Sequence, residues 1–156
     1  MLSYRNFGKV DFFGLDASFQ YTSDTGLSVF GNASVVSDDF FDAEELDEDG
    51  TDLSLALNAP ALKFRLGAKY QLKNGLSFNA AGRYTDEFPV SSGPYQGTVP
   101  SYTLLDVGVG YAFGAAAPGL RADLTVTNAL DDMHREFVGA PQLGRMTILK
   151  LTYTRR

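Results

Sequence analysis

The sequence predicts an all-β fold, an antiparallel up-and-down meander of about seven long strands that forms part of a transmembrane β-barrel. Three observations support this prediction. Apolar and polar residues alternate with a period of two, the alternating segments are long, and the connections between them alternate between short and long. These segments show no helical periodicity.

The alternation is clearest between Leu62 and Leu72, where one face is apolar or aromatic and the other is polar or glycine. Successive side chains of a strand point to opposite faces, so this pattern indicates a strand with one apolar face. In the second segment, Phe30 is the one apolar residue on the polar face. The segments that share the pattern are, in chain order, 13–21, 27–35, 62–72, 76–85, 105–113, 120–127 and 148–153.

Most of these segments have about nine to eleven residues, the length that a tilted strand needs to cross a bilayer. Strands of soluble sheets most often have about five or six. The connections 22–26, 73–75 and 114–119 are short, and Asn74-Gly75 is a strong hairpin signal. The connections 37–61, 86–101 and 129–144 are long. Because outer-membrane barrels have short periplasmic turns and long extracellular loops, we expect the two sets at opposite membrane surfaces.

Aromatic residues of the apolar face gather at the strand ends beside the short turns. Amphipathic rings concentrate at membrane–water interfaces, so their placement supports the membrane interpretation. These residues are Tyr21, Tyr70, Tyr111, Phe113 and Tyr153.

The composition excludes several classes of protein. The 156 residues carry 13 Lys and Arg against 19 Asp and Glu, a net charge of −6, which argues against a nucleic-acid-binding surface. The chain has no cysteine, which excludes a disulfide framework and thiolate metal sites. No apolar run approaches the roughly 18 residues of a transmembrane helix.

Alternation alone does not decide which face is outside, because a soluble barrel or sandwich also has an apolar face that points into a core. The strand length, the alternation of short and long connections, and the aromatic residues at the strand ends favour a transmembrane sheet over a soluble one. Seven is an odd number, whereas bacterial single-chain barrels are even-numbered, so the sheet needs partners. These are either upstream strands or other copies. The residues after Met1 lack the apolar core of a signal peptide, which favours a true N-terminus further upstream.

Four segments place Asn, Pro, Asp or Gly at the predicted strand ends, where such residues mark turns. Together, their order and spacing resemble the C-terminal barrel strands of TonB-dependent receptors. Residues 6–16 also resemble a strand of this family. The four segments are 58–64, 101–106, 126–132 and 139–145.

The resemblance implies that residues 1–156 form the C-terminal portion of a receptor barrel, with the plug domain and earlier strands absent. It implies the outer membrane of a Gram-negative bacterium, contact with outer-membrane lipid, and uptake of a large scarce substrate such as siderophore-bound iron, cobalamin or a glycan. TonB would act only through the missing plug. The alternatives are a porin-like or structural barrel piece and a soluble ligand-binding β-barrel.

Two departures from the family pattern stand near the C-terminus. Met133 occupies a position that is usually aromatic, and Arg155 and Arg156 replace the usual terminal Phe. In the family, a terminal Phe on the lipid face helps the assembly machinery to recognise the barrel. Its replacement by arginines is therefore expected to affect the efficiency of barrel assembly.

We find no catalytic constellation, and we expect neither an enzyme nor a cofactor. The single histidine, His134, has no triad or zinc partners at suitable spacing and is expected to be an exposed loop residue. The acidic run 38–49 offers oxygen ligands that suit Ca²⁺, but a solvated, self-repelling loop tip is the favoured interpretation. Its candidate ligands are Asp42, Glu44, Asp47 and Asp49.

The polar face carries the candidate substrate contacts Arg65, Arg83 and Arg121, together with Lys63 and Lys69. In the family that the chain resembles, this face lines the lumen around the plug. The resemblance implies contact with an anionic substrate or with plug carboxylates, although a hydrated lumen wall is the favoured interpretation. In the loop 86–101, Tyr95 is a candidate ligand contact, with packing between loops as the alternative.

Overall fold

The structure, a computed structural model, describes residues 13–37 and 58–155. These residues form nine β-strands and one short 3₁₀-helix, Gly114–Ala116. The strands are β1 (Gly14–Thr22), β2 (Leu27–Val36), β3 (Leu62–Gln71), β4 (Leu76–Thr85), β5 (Phe88–Ser92), β6 (Tyr95–Val99), β7 (Tyr102–Ala112), β8 (Leu120–Thr127) and β9 (Met146–Tyr153).

Seven strands form one sheet in the order β1-β2-β3-β4-β7-β8-β9, and every neighbouring pair is antiparallel. The predicted up-and-down meander of seven long strands is therefore confirmed. The sheet is open, because β1 and β9 each pair with only one neighbour among the described strands.

The connection 86–101, predicted as a loop, contains the hairpin β5–β6, which forms a separate two-stranded sheet. Phe88, Val90 and Val99 point to its buried side, with Tyr102 and Val138 packed against them. The hairpin forms because these apolar residues find partners from two other parts of the chain.

Inter-strand pairing keeps most of the apolar positions on one side of the sheet, which we call the apolar face. Its exposed side chains include Phe19, Leu66, Phe78, Leu124 and Leu149. The opposite side, called the polar face, carries among others Asn32, Arg65, Arg83, Asp123 and Lys150.

The buried apolar residues of the described chain lie away from the apolar face. They are Phe88, Val90 and Val99 in the hairpin, and Leu104, which pairs with Arg83 on the polar face. Leu149, Leu151 and Tyr153 of the apolar face are each at least 67% exposed. A soluble barrel requires these side chains to fill a core, so the observed burial disfavours that alternative.

Phe30, the apolar residue on the polar face, has a local packing partner. Its ring lies where a side chain on Gly67 would project, and the Arg65 guanidinium carbon is 5.5 Å from the ring centroid. The contact combines burial of a ring edge over glycine with a cation–π interaction. The glycine at position 67 is thus required by the aromatic residue of the neighbouring strand.

Two of the short turns are closed in the same way. In the turn between β3 and β4, the Leu72 amide donates to the Leu76 carbonyl at 2.8 Å, and Gly75 adopts a φ of 89°. Gly26, in the turn between β1 and β2, has the same φ. Glycine adopts this left-handed conformation without the steric cost that a Cβ atom brings, which explains the glycine in both turns and the hairpin predicted at Asn74-Gly75. No helix of the residues described is long and apolar enough to cross a membrane.

Candidate functional site

Arg121, on the polar face, is a cation that is neutralised within the sheet. The Arg121 guanidinium donates to both carboxylate oxygens of Asp123 at 2.6–2.9 Å and to the Ser77 hydroxyl at 2.8 Å. The Ser77 hydroxyl in turn donates to the Gly110 carbonyl at 3.3 Å. A side chain on Gly110 would overlap this network, so the glycine makes room for it. The charge of Arg121 is balanced within the sheet itself.

A second cationic group on the polar face is arranged differently. Arg65 and Arg83 stand directly opposite each other on β3 and β4, and Lys63 lies two residues from Arg65 on the same face. Within residues 13–37 and 58–155, no carboxylate lies within 4.0 Å of these three side chains. Like charges directly opposite in a sheet are destabilising. The pair is therefore suited to an anionic group from elsewhere.

The predicted Ca²⁺ site of the acidic run lies outside the part of the chain that the structure describes. Asp42, Glu44, Asp47 and Asp49 lie outside the described residues, so the Ca²⁺ hypothesis stays a prediction. Among the residues described, no group of three or more His, Asp or Glu side chains is arranged to hold a metal ion.

At the end of the sheet that bears the long connections, the hairpin β5–β6 and the segment 128–145 form a structure that we call the loop cap. Asn128 organises it. This residue is 3% exposed and has a φ of 50°. Its side-chain amide accepts from the Asp132 amide at 3.0 Å and donates to the Asp132 carbonyl at 2.9 Å. Its own backbone amide donates to Asp106 of β7 at 3.0 Å.

Two neighbouring aspartates join the two ends of the segment 128–145 and link it to β7. Asp131 accepts from the Arg145 backbone amide at 2.9 Å, and its other oxygen is 3.3 Å from the Arg145 guanidinium. Asp132 accepts from the Thr103 amide of β7 at 3.1 Å. Residues 101–106, 126–132 and 139–145, recognised in the sequence as separate segments, thus meet in one hydrogen-bonded clamp.

The remaining segment, 58–64, joins the loop cap through Asn58. Its side-chain oxygen accepts from the Ser91 amide at 2.7 Å, and its side-chain nitrogen donates to the Ser91 carbonyl at 3.4 Å. Asn58, Asn128 and Asp131 are the non-glycine residues with positive φ in the described chain. Asn and Asp tolerate this conformation better than other residues do. The motif residues therefore have a structural role in shaping the loop cap.

His134 is buried, and the prediction of an exposed loop histidine is wrong. The residue is 8% exposed. Its backbone exchanges hydrogen bonds with Leu143 at 2.8 and 3.2 Å, and its ring lies 4.6 Å from the Tyr102 ring, centroid to centroid. Burial follows from these contacts with residues that are distant in the sequence.

Tyr95 packs the two parts of the loop cap together. Its ring centroid is 5.8 Å from that of Phe137 in an edge-to-face arrangement, and its ring carbons lie 3.0–3.1 Å from where a Cβ on Gly139 would be. Tyr95 remains 50% exposed. The packing between loops that the sequence left open is present, and a ligand contact by Tyr95 stays a prediction.

Between the two parts of the loop cap lies a cleft of about 360 Å³. One wall is formed by residues 97–101 and the other by residues within 132–142. His134 and Phe137 belong to the second wall.

Residues 2–129 match the family described as TonB dependent receptor-like, beta-barrel. The chain belongs to this family. The resemblance seen in the sequence is confirmed, and so is the partial barrel fold. No curated protein sequence matches the chain.

Solved TonB-dependent receptors share the fold. The chain superposes on the ferric-catecholate import receptor Fiu from E. coli in its open form with a TM-score of 0.71 and 18% identity, covering 94% of this chain and 21% of that one. For the ferric enterobactin receptor PfeA from Pseudomonas aeruginosa, the TM-score is 0.64 with 16% identity, covering 95% and 23%. For FpvA from P. aeruginosa bound to a pyoverdine–iron complex, it is 0.65 with 18% identity, covering 91% and 19%.

This TonB-dependent receptor chain therefore spans about a fifth of the length of the receptors it matches (21%, 23% and 19%). The family and its structural neighbours are transport receptors rather than enzymes. Family members are outer-membrane barrels that work with TonB and a plug domain in the full protein. The loop cap and the polar face described above belong to a wall of such a barrel.

Proposed function

We propose that residues 1–156 form the C-terminal portion of an outer-membrane receptor barrel, whose remaining strands and plug domain come from outside this chain. The observation that carries the proposal is the open seven-stranded sheet with an uncovered apolar face. In lipid, apolar side chains of this kind are stabilised, whereas an unpaired strand edge costs several kcal/mol for each unsatisfied backbone group. Barrel closure is therefore obligatory.

The direction of the edge strands supports closure by other strands rather than by copies of this chain. Because seven consecutive antiparallel strands alternate in direction, β1 and β9 run the same way. Two copies with the same orientation in a membrane would meet in a parallel pair. An all-antiparallel barrel instead requires an odd number of additional strands, and this disfavours the porin-like alternative built by oligomerisation.

The transported substrate is proposed to be a ferric siderophore, the first of the three substrate classes that the sequence suggested. The support comes from receptors of similar fold, whose structures are those of a ferric-catecholate import receptor, a ferric enterobactin receptor and a receptor bound to a pyoverdine–iron complex. Such transport needs the plug and TonB in addition to this chain.

Membrane orientation of the sheet can be measured with spin labels, since the chain has no native cysteine. We expect a label at Leu151→Cys, on the apolar face, to be relaxed by oxygen dissolved in lipid. We expect a label at Lys150→Cys, one residue away on the polar face, to be relaxed by a water-soluble nickel complex. Equal accessibility at the two positions would contradict the proposal, and so would a folded, monodisperse protein in buffer without detergent.

Arg65 and Arg83 are proposed to receive an anionic group in the barrel lumen, a plug carboxylate or a chelate oxygen. The support is their direct opposition without a carboxylate among the described residues, while Arg121 is already paired with Asp123. A polyvalent anion should then stabilise the protein by relieving the repulsion between the two arginines.

The measurement is the denaturation midpoint in detergent with and without millimolar citrate. We expect citrate to raise the midpoint of the native protein and of the control variant Arg121→Gln. In the double variant Arg65→Gln/Arg83→Gln, the citrate effect should disappear. A citrate effect of unchanged size in the double variant would rule out this role.

A further inference from the structure

The register of the hairpin β5–β6 shows which of its backbone groups point away from it. In an antiparallel pair, residues that bond to each other alternate with residues whose N–H and C=O groups point outward. Pro89, which pairs with Thr98, has no N–H group to donate. Ser91, which pairs with Gln96, bonds through both its amide and its carbonyl to the Asn58 side chain. The backbone groups of Gln96 and Thr98 therefore point away from β5.

The two outer edges of the hairpin differ in what they meet. At the β5 edge, the Asn58 carboxamide stands in for a peptide group, because it accepts from the Ser91 amide and donates to the Ser91 carbonyl. At the β6 edge, no backbone group of residues 13–37 and 58–155 pairs with Gln96 or Thr98. Within the described chain, this edge thus presents two donors and two acceptors at alternate residues, which is a template for another strand.

The two faces of the hairpin beside the β6 edge have different surroundings. Residues 97–101, the end of β6 and the chain that follows it, line the cleft of about 360 Å³. Val138 lies against the face that carries Gly97, 3.5 Å from the position of a Cβ there. On the other face, the side chains of Gln96 and Thr98 are exposed. Because successive side chains alternate, a strand added at this edge would have an apolar neighbour on one face and water on the other.

We propose that the β6 edge binds an extended segment of another polypeptide, which adds to the hairpin as a third strand. An extended peptide carries donors and acceptors at the same alternate spacing, and such pairing at an exposed edge is a recurring mode of peptide recognition. The bonds of Asn58 to Ser91 show that the opposite edge already holds a carboxamide in this way. The surroundings favour a segment in which apolar and polar residues alternate. The proposal does not depend on the transported substrate, since the loop cap supplies every contact.

The probe is the soluble peptide acetyl-Lys-Val-Thr-Val-Lys-amide, whose valines share one face. Its control carries N-methyl groups on the threonine and on the second lysine, which removes the donors of the pairing edge. The ¹⁵N-threonine-labelled protein is extracted from outer membranes in detergent, and its fold is checked by heat-modifiable migration in gel electrophoresis. Four hydrogen bonds correspond to a dissociation constant of about 1 mM. At about 10 mM peptide, we expect exchange of the Thr98 amide to slow about tenfold, and the methylated peptide to leave it unchanged.

Two substitutions at one position separate the edge from the fold of the hairpin. Thr98→Pro removes an outward N–H group that the hairpin does not use, and Pro89 already occupies the paired position on β5. Thr98→Val keeps the N–H group and a β-branched side chain, so it is the matched control. Affinity is followed by broadening of the valine methyl resonances of the peptide, measured against empty micelles. We expect it to fall about five- to tenfold in the Pro variant and to stay within about twofold in the Val variant.

Three results would overturn the proposal. The methylated peptide slows exchange as much as the unmodified one, the Pro variant binds as tightly as the native protein, or the Thr98 amide is already protected without peptide. Protection at every protein concentration would mean that another part of the same barrel pairs with β6, and protection that rises with concentration would mean a second copy. If the Pro variant does not fold, the comparison of the two peptides on the native protein decides the question by itself.

Discussion

The variant Leu149→Arg is expected to lose about 2–4 kcal/mol of its free energy of unfolding in lipid vesicles, because an arginine at the middle of the lipid face must be solvated there. Leu149 lies in the centre of β9 on the apolar face and is 67% exposed. In detergent-free buffer its replacement by a charge would instead remove an exposed apolar surface and improve solubility.

The neighbouring residue offers a matched control. Ile148 is also on β9, is 43% exposed and pairs with Thr125 on the polar face. The variant Ile148→Arg is expected to unfold within about 0.5 kcal/mol of the native protein, as surface substitutions do. Unfolding curves in urea, measured in the same vesicles, give both values. Equal losses in the two variants would mean that the apolar face is not the lipid face.

The second large effect is expected for Asn128→Ala, which should cost about 3 kcal/mol of stability. The substitution leaves the Asp132 amide without its acceptor and removes one of the two donors of the Asp132 carbonyl, which keeps its contact with His134 Nδ1. A buried unsatisfied group costs about 1–3 kcal/mol. Alanine also takes the positive φ of 50° less readily than asparagine does. The loop cap should therefore open at a lower denaturant concentration than the sheet.

The variant Asn128→Gly separates the two causes. Glycine accepts the positive φ but makes neither hydrogen bond, so it should recover only the conformational part of the loss, about 1 kcal/mol. Hydrogen exchange of the Asp132 and Thr103 amides follows opening of the loop cap directly. Native-like protection of both amides in the Ala variant would show that Asn128 does not hold the clamp together.

Much of the sheet was predictable from the sequence. The strand predicted over 76–85 is observed as Leu76–Thr85, and that predicted over 62–72 as Leu62–Gln71. Alternation with a period of two is a local property, because it follows from the direction of successive side chains along one strand. The same property placed Arg65, Arg83 and Arg121 on one face without any knowledge of their neighbours.

The loop cap was not predictable in the same way. The hairpin β5–β6 has short strands of five residues each, and its apolar residues pack against Tyr102 and Val138. His134 is buried through contacts with Tyr102 and Leu143. A single sequence carries no signal for contacts of this kind, since each joins segments whose relative position depends on the folded sheet.

The clamp residues fall between these two cases. The sequence identified Asn128 and Asp131 as turn residues, because Asn and Asp bond to nearby backbone groups. Their contacts with Asp106, Thr103 and Arg145 come from the pairing of β7, β8 and β9 and were visible only in the structure.

The sequence by itself determined the seven strands of the large sheet, their two faces and the family, because alternation and turn residues are encoded along the chain. The tertiary structure decided which polar groups meet. Arg121 is neutralised by Asp123, Arg65 faces Arg83, and the His134 ring lies against the Tyr102 ring. The physical reason is that side-chain partners across a sheet are set by strand register and by the backbone path of the connections, which the hydrogen bonds of the whole sheet fix together.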